Sequence, residues 1–94
     1  MGRLLPWTGD DGQPAFLAPG SENGALARLA DSLEQSQLQD ASVVFDHAVS
    51  VLENDSASAV ELRFVAERLS ECLFNAMRVA DSRGARLPNA EGDA

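Results

Sequence analysis

The chain has 94 residues, enough for one small domain. Hydrophobic residues make up 45% and charged residues 23%, close to a globular average, so wholesale disorder is not expected. Fifteen acidic residues against seven basic ones give a net charge of −8, which argues against direct binding to nucleic acid or to an anionic membrane. One cysteine fits a reducing cytoplasm, and no apolar run is long enough for a membrane span or a signal-peptide core. We therefore expect a cytoplasmic protein.

Residues 1–24 form an N-terminal arm that holds three of the four prolines. An Asp-Gly pair at Asp11-Gly12 separates two short apolar runs, which is typical of a β-hairpin. Pro6 and Pro14 each remove a backbone donor, so any strands must be short or lie at an edge. We expect an ordered arm, extended or β-hairpin-like, whose apolar groups pack on another part of the molecule.

A helical pattern occupies residues 25–53, with an apolar stripe at Leu26, Leu29, Ala30 and Leu33. The next apolar group along the chain is rotated by roughly a quarter turn. Two interpretations compete: one helix with a drifting stripe, or a break near Ser36, where Ser36-Gln37-Leu38-Gln39 matches a capping box. We prefer two consecutive helices or one kinked helix, ending near Asn54-Asp55.

The last helix is predicted over residues 58–83. It begins with the capping box Ser58-Ala59-Val60-Glu61, and Gly84 supplies a left-handed stop. Its apolar residues are spaced as a heptad seam, widened on one side into a bundle-like stripe. The seam is Leu62, Val65, Leu69, Cys72, Ala76 and Val79, and the widening residues are Ala66, Leu73, Met77 and Ala80. Residues 85–94 are predicted to be a disordered acidic tail.

These elements predict an all-α core at residues 25–84 in the form of an antiparallel helical hairpin, because only four residues, 54–57, connect the helices. Two helices bury little surface and leave apolar flanks uncovered. A homodimer with four helices would cover those flanks, and we expect one, with Leu73 and Met77 joining the seam as core or dimer contacts.

The charge is unevenly distributed. Residues 25–55 carry a net charge of −5, whereas residues 58–83 are neutral. An acidic helical face can attract a partner protein with a basic surface, although acidic residues also serve simple solubility.

The search for chemistry finds no catalytic, cofactor-binding or metal site. His47 is the only histidine, and its neighbour Asp46 points about 100° away on a helix, so His47 lacks a partner for acid–base or metal chemistry. Cys72 lies in the seam, where a thiol behaves as a small buried hydrophobe. Asp10-Asp11-Gly12 lacks the remaining ligands of a calcium loop and indicates a tight turn.

Phe64 and Phe74 project away from the main stripe, which is typical of a contact surface. Three interpretations remain for what packs on these two rings. The arm, with Trp7 and Phe16, can fold over them; a second copy can cover them; or they bind a different protein.

The seven basic residues are all arginine, and lysine, isoleucine and tyrosine are absent, which indicates a high-GC bacterial genome. Four blocks resemble a group of small acidic proteins of Streptomyces and related actinobacteria: Leu4-Leu5-Pro6-Trp7, Leu29-Ala30-Asp31, Glu61-Leu62-Arg63-Phe64 and residues 78–87. The resemblance covers most of residues 3–87 and implies a cytoplasmic actinobacterial protein encoded near transcription regulators. It transfers no functional residues.

The function expected from the sequence is a non-enzymatic, acidic, helical protein–protein interaction module, a regulator that acts through a partner protein. The alternatives are a purely structural self-assembling subunit and, third, a small enzyme or metal protein that uses His47.

Overall fold

The N-terminal arm is a two-stranded antiparallel β-hairpin in the computed structural model of the protein, which describes residues 2–87. Strand β1 (Arg3–Thr8) pairs with strand β2 (Pro14–Leu17). A 3₁₀ turn at Asp10–Gly12 connects them, and Asp11 and Gly12 adopt left-handed backbone angles with φ of 60° and 74°. Glycine takes this conformation freely and aspartate tolerates it better than most residues. The predicted β-hairpin-like arm is confirmed.

The outer edge of β1 is held by side chains from the helical part of the chain. The Ser82 hydroxyl donates to the carbonyl of Leu4 at 2.8 Å, and the Gln37 amide donates to the carbonyl of Pro6 at 2.9 Å. The carbonyl of Pro6 points toward Gln37 and therefore away from β2. In a strand, the C=O and N–H of one residue point to the same side, so the nitrogen of Pro6 also faces away from β2. The missing N–H of Pro6 therefore removes no hydrogen bond from the hairpin.

Helix α1 (Ala25–Glu53) is a single helix of 29 residues. The preferred interpretation, two consecutive helices or one kinked helix, is therefore wrong in its first form, with a break near Ser36. The residues of α1 that face inward follow the same heptad spacing before and after Ser36, so packing does not require a second helix to begin there. Eight buried or half-buried positions are spaced 3, 4, 3, 4, 3, 4 and 3, as in a heptad pattern, and Leu33 and Leu38 beside them are also half-buried. The eight are Ala27, Ala30, Glu34, Gln37, Ala41, Val44, Ala48 and Val51.

In the stripe predicted for the start of α1, Ala30 is fully buried and Leu33 is half-buried. Leu26 and Leu29 are 47% and 57% exposed. The face that packs is made of small residues, because Leu5 and Leu17 of the β-hairpin fill the space above Ala27 and Ala30. A leucine in those positions would hold the hairpin away from the helix.

Helix α2 (Ala59–Arg86) starts with the predicted capping box, in which the Ser58 hydroxyl accepts from the amide of Glu61 at 3.1 Å. Gly84 does not stop the helix, which continues to Arg86. The last turn is held from both sides of Gly84, since the flanking arginines contact Glu34 of α1. The prediction that a tail begins at residue 85 is therefore wrong for Ala85 and Arg86, which belong to α2, and residues 88–94 lie outside the described part of the chain.

The two helices pack antiparallel, which confirms the predicted helical hairpin. Near the connection, Ala48, Val51 and Val65 form one buried cluster, with Ala57 and Leu69 packed against it. The all-α class is too narrow, because the arm adds a two-stranded sheet to a mostly helical molecule.

Candidate interaction surfaces

The predicted seam on α2 divides into a buried and an open part. Val65, Cys72 and Val79 are buried, and Leu69 and Ala76 are half-buried. The other three residues predicted as core or dimer contacts lie open, with exposed fractions of 41%, 62% and 58%. They are Leu62, Leu73 and Met77.

An ion cluster around Glu34 joins β1, α1 and α2. Glu34 is 1% exposed, and its carboxylate lies 3.2 Å from the guanidinium of Arg3, 3.5 Å from that of Arg83 and 3.4 Å from that of Arg86. Arg3 also pairs with Asp31 at 2.7 Å. A buried carboxylate needs such partners, because an unpaired charge away from water is strongly destabilising.

The same contacts affect the protonation of Arg3. Burial lowers its pKa, but hydrogen bonds and ion pairs with Asp31 and Glu34 outweigh that effect and raise the pKa of Arg3 above its ordinary value. Arg3 therefore stays charged and fixes β1 to α1, where it also donates to the carbonyl of Ala27 at 3.4 Å.

The β-hairpin covers one flank of α2. Ser82 is buried there, and Asn75 and Arg78 are half-buried. The Arg78 guanidinium donates to the Asn75 side chain at 3.0 Å and lies 5.2 Å from the centre of the Phe74 ring. Burial lowers the pKa of Arg78.

The opposite flank of the helix pair lies open. In a heptad numbering, the buried residues of each helix occupy positions a and d. Because the helices are antiparallel, the e positions of both lie on the same side of the pair, and the b positions lie next to the e positions, farther from the contact between the helices. We call this set the open face. It consists of Gln35, Leu38, Ser42, Phe45, Val49 and Leu52 of α1 and Ala66, Ser70, Leu73, Met77, Ala80 and Gly84 of α2.

Between residues 35 and 52 of α1 and between residues 66 and 84 of α2, the open face carries no charged residue, whereas the same e and b positions beyond those bounds hold Arg28, Asp31 and Arg63. All of its residues are exposed except Leu38, which is half-buried. Phe45 and Leu52 are 60% and 68% exposed. Contiguous exposed apolar surface of this kind marks an interaction site.

The four aromatic residues proposed as a second interface do not form one surface. Trp7 packs against the cluster of Leu5 and Leu17, and Phe16 is 46% exposed on β2. Phe74 and Met77 of α2 border a groove of about 250 Å³ together with Leu4, Thr8, Gly12 and Pro14 of the hairpin, so Met77 lies at the rim of the open face nearest the hairpin. That groove is smaller than the roughly 300–1,000 Å³ of a typical small-molecule pocket.

Phe64 is 56% exposed and borders a different, shallow depression between Val60 and Glu67 of α2 itself. The arm borders Phe74, which stays 59% exposed, and does not border Phe64, so the arm covers neither ring.

The acidic residues of α1 and of the connection that follows it fall into two groups. Asp31 and Glu34 are paired with arginines. Four others are exposed and form no ion pair with any residue between 2 and 87, in contrast to Glu67 and Glu71 of α2, which pair with arginines one turn away. These four, the acidic surface, are Asp40, Asp46, Glu53 and Asp55.

The residues considered for chemistry stay apart. His47 is exposed on α1, and Cys72 is a buried free thiol on α2. Residues 2–87 contain no group of three or more His, Cys, Asp or Glu side chains placed to hold a metal ion. Over the same residues, neither helix combines the length and hydropathy needed to cross a bilayer.

No protein-family model, curated protein or solved structure matches this chain. The case for function therefore depends on the surfaces themselves.

Proposed function

We propose that this chain is a non-enzymatic protein–protein interaction module, a regulator that binds a partner protein and also self-associates. The observation that carries the proposal is the amount of apolar surface left uncovered. Within residues 2–87, fourteen large apolar side chains are at least 38% exposed. Scattered single residues of this type are normal on a small domain, but the open face groups several of them on one side of both helices.

The acidic surface supports a partner with a basic surface. Asp40, Asp46 and Glu53 lie on the sides of α1 that face away from α2 and from the open face, so a partner reaches them without disturbing the fold. Complementary charge speeds such association and selects the partner. Cytoplasmic location and actinobacterial origin belong to the same proposal and depend on composition and resemblance.

The test uses two charge-neutralised variants as a matched pair. The first carries Asp40→Asn, Asp46→Asn and Glu53→Gln, and the second carries Glu67→Gln and Glu71→Gln on α2. A partner is isolated from the native host with the wild-type chain, and its affinity for each variant is measured at low and at physiological salt. We expect the α1 variant to bind at least about tenfold more weakly, roughly 1.4 kcal/mol. We expect added salt to weaken wild-type binding, because it screens exposed charges.

Two outcomes contradict the basic-partner proposal. An affinity indifferent to salt and to the α1 substitutions leaves solubility as the role of the acids. Absence of any partner, combined with a stable oligomer of the chain alone, favours the alternative of a structural self-assembling subunit.

A further inference from the structure

The groove between the β-hairpin and α2, which we call the hairpin groove, has mainly apolar walls. Leu4 and Pro14 line it on the side of the hairpin, and Phe74 and Met77 line it on the side of α2. Phe74 and Met77 are 59% and 58% exposed, so both side chains are accessible to a ligand. The volume of the hairpin groove is about 250 Å³, and a cavity of about 150 Å³ is enough to hold benzene. The hairpin groove therefore has room for one large apolar side chain.

A cation without a counter-charge lines the same groove. Arg78 is half-buried, and its guanidinium donates to the Asn75 side chain and lies over the Phe74 ring. It forms no ion pair with any residue between 2 and 87, and its Nε is buried without an acceptor among them. Burial lowers the pKa of Arg78 with no opposing ion pair, whereas Asp31 and Glu34 raise the pKa of Arg3. A partly desolvated charge of this kind is stabilised by an anion.

The other arginines do not share this environment. Arg28 is exposed and donates to the carbonyl of Asn23. The remaining five each lie within 3.5 Å of a carboxylate, and they are Arg3, Arg63, Arg68, Arg83 and Arg86. Within residues 2–87, Arg78 is therefore the arginine that is partly withdrawn from water without an anionic partner.

Asp81 is the second charged residue at the hairpin groove and lies one turn after Arg78 on α2. It is exposed and does not pair with Arg78. The two other lining residues, Thr8 and Gly12, are uncharged. Because charges interact more strongly away from water, the half-buried Arg78 affects a charged ligand more than the exposed Asp81 does. The hairpin groove therefore favours an anion, and Asp81 reduces that preference without reversing it.

We propose that the hairpin groove binds a segment of a partner protein in which an apolar side chain stands next to a carboxylate. The apolar side chain fills the space between the hairpin and Phe74, and the neighbouring carboxylate pairs with Arg78. Binding energy at protein interfaces concentrates in pockets that hold one such anchor, and aromatic residues and arginine are frequent there. A single anchor also suits a volume below that of typical small-molecule pockets. This proposal does not depend on the acidic surface of α1 or on its basic partner.

The first test uses two short peptides that differ only in charge. Acetyl-Phe-Glu-amide carries the apolar side chain and the carboxylate, and acetyl-Phe-Gln-amide has nearly the same shape without the charge. Binding to the full chain is followed through the ¹H–¹⁵N NMR shifts of backbone amides at the hairpin groove. We expect the Glu peptide to bind with a Kd on the order of 1 mM, at least about fivefold more tightly than the Gln peptide. The reversed sequences, acetyl-Glu-Phe-amide and acetyl-Gln-Phe-amide, test a carboxylate on the other side of the anchor.

Two matched pairs of variants locate the site on the protein. Arg78→Gln removes the cation of the hairpin groove, and Arg28→Gln removes an exposed arginine outside it. Phe74→Ala removes an apolar wall, and Phe64→Ala removes a ring of similar exposure, 56%, on the same helix. We expect Arg78→Gln to abolish the preference for the Glu peptide and Phe74→Ala to weaken both peptides at least about threefold. Both controls should bind as the wild type does, and circular dichroism checks that every variant remains helical.

A further variant keeps the proposal open to refutation if Arg78→Gln fails to fold. Asp81→Asn removes the neighbouring negative charge and leaves Arg78 and the apolar walls in place. We expect it to bind the Glu peptide at least about twofold more tightly and the Gln peptide as before, because the carboxylate of Asp81 repels only the charged peptide. Added salt should reduce the preference of the wild type for the Glu peptide, because it screens both interactions.

Several outcomes would overturn the proposal. Equal affinity for the two peptides, or a preference that survives Arg78→Gln, shows that Arg78 binds no carboxylate. Binding that is weakened by Phe64→Ala and not by Phe74→Ala places the peptide elsewhere, and absence of binding at about ten times the expected Kd leaves no site at all. Shifts of the groove amides with protein concentration alone show that a second copy fills the hairpin groove. None of these results affects the basic-partner proposal, which is judged by the charge variants of α1.

Discussion

Removing the Glu34 carboxylate tests whether the β-hairpin is fixed to the helices as described. In Glu34→Ala, the guanidinium of Arg3 loses a partner at 3.2 Å and keeps Asp31 and the carbonyl of Ala27, although its own side chain is 9% exposed. Breaking a buried ion pair from one side costs about 3–5 kcal/mol. Arg83 and Arg86 are 48% and 34% exposed and regain water, so we expect the lower end, about 3 kcal/mol.

That loss is large against the stability of a small domain. At about 0.05–0.15 kcal/mol per residue, a chain of this length has roughly 5–14 kcal/mol to lose. The melting temperature should fall by about 12–24 °C. Glu34→Gln keeps the volume and one carbonyl acceptor, so we expect a smaller loss of about 1–2 kcal/mol.

The free energy of unfolding is measured with urea. Circular dichroism monitors the unfolding of the helices, and Trp7 fluorescence monitors the unfolding of the hairpin. The control is Glu71→Ala, which removes a carboxylate that is 61% exposed and paired with Arg68 on the surface. We expect that control to lose less than about 1 kcal/mol. If Glu34→Ala is no less stable than Glu71→Ala, Glu34 is not buried and the packing of the arm on the helices is wrong.

Three further changes have smaller, well-defined effects on stability. Val65→Ala should cost about 1.5–3 kcal/mol in urea unfolding because Val65 is 5% exposed, whereas Val60→Ala, at 78% exposed, should cost under about 0.5 kcal/mol; equal effects would show that the seam is misplaced. Ser58→Ala should cost about 1 kcal/mol through loss of the capping box, and an unchanged melting temperature would contradict that hydrogen bond. Phe64→Ser should leave helicity within error, since Phe64 packs on neither core cluster; loss of helical signal would place it in the core.

The sequence predicts the parts of the fold that depend on local signals. The four-residue connection, the capping box at Ser58 and the Asp-Gly turn each act within a few residues, and all three appear as expected. The heptad spacing from Val65 to Val79 also identifies the inward face of α2.

The failures concern positions whose role depends on distant partners. Glu34 lies in phase with Ala27 and Ala30, but a search for apolar periodicity does not select a charged residue. The three arginines that pair with Glu34 come from distant parts of the chain, so the local sequence does not show that its charge is compensated. Gly84 was expected to end α2, since a glycine in a helix costs about 1 kcal/mol, and contacts of Arg83 and Arg86 with Glu34 offset that cost.

The open face has a signal that apolar periodicity alone does not reveal. Ala66, Ser70, Ala80 and Gly84 are too small to score as a hydrophobic stripe. The informative pattern is the absence of charge at these positions between residues 35 and 52 and between residues 66 and 84.

The contact between Leu4 and Ser82 joins residues 78 positions apart, and this has a consequence for the order of folding. The cluster of Val51 and Val65 closes a loop of only about 14 residues, so docking the arm costs about 1.5 kcal/mol more in chain entropy than closing the helical hairpin. We expect the helices to pair first and the arm to dock last. During synthesis, the arm leaves the ribosome before α2 and therefore waits for the last turn of α2, and a chain cut between Val79 and Ser82 would keep paired helices while the arm becomes accessible to proteases.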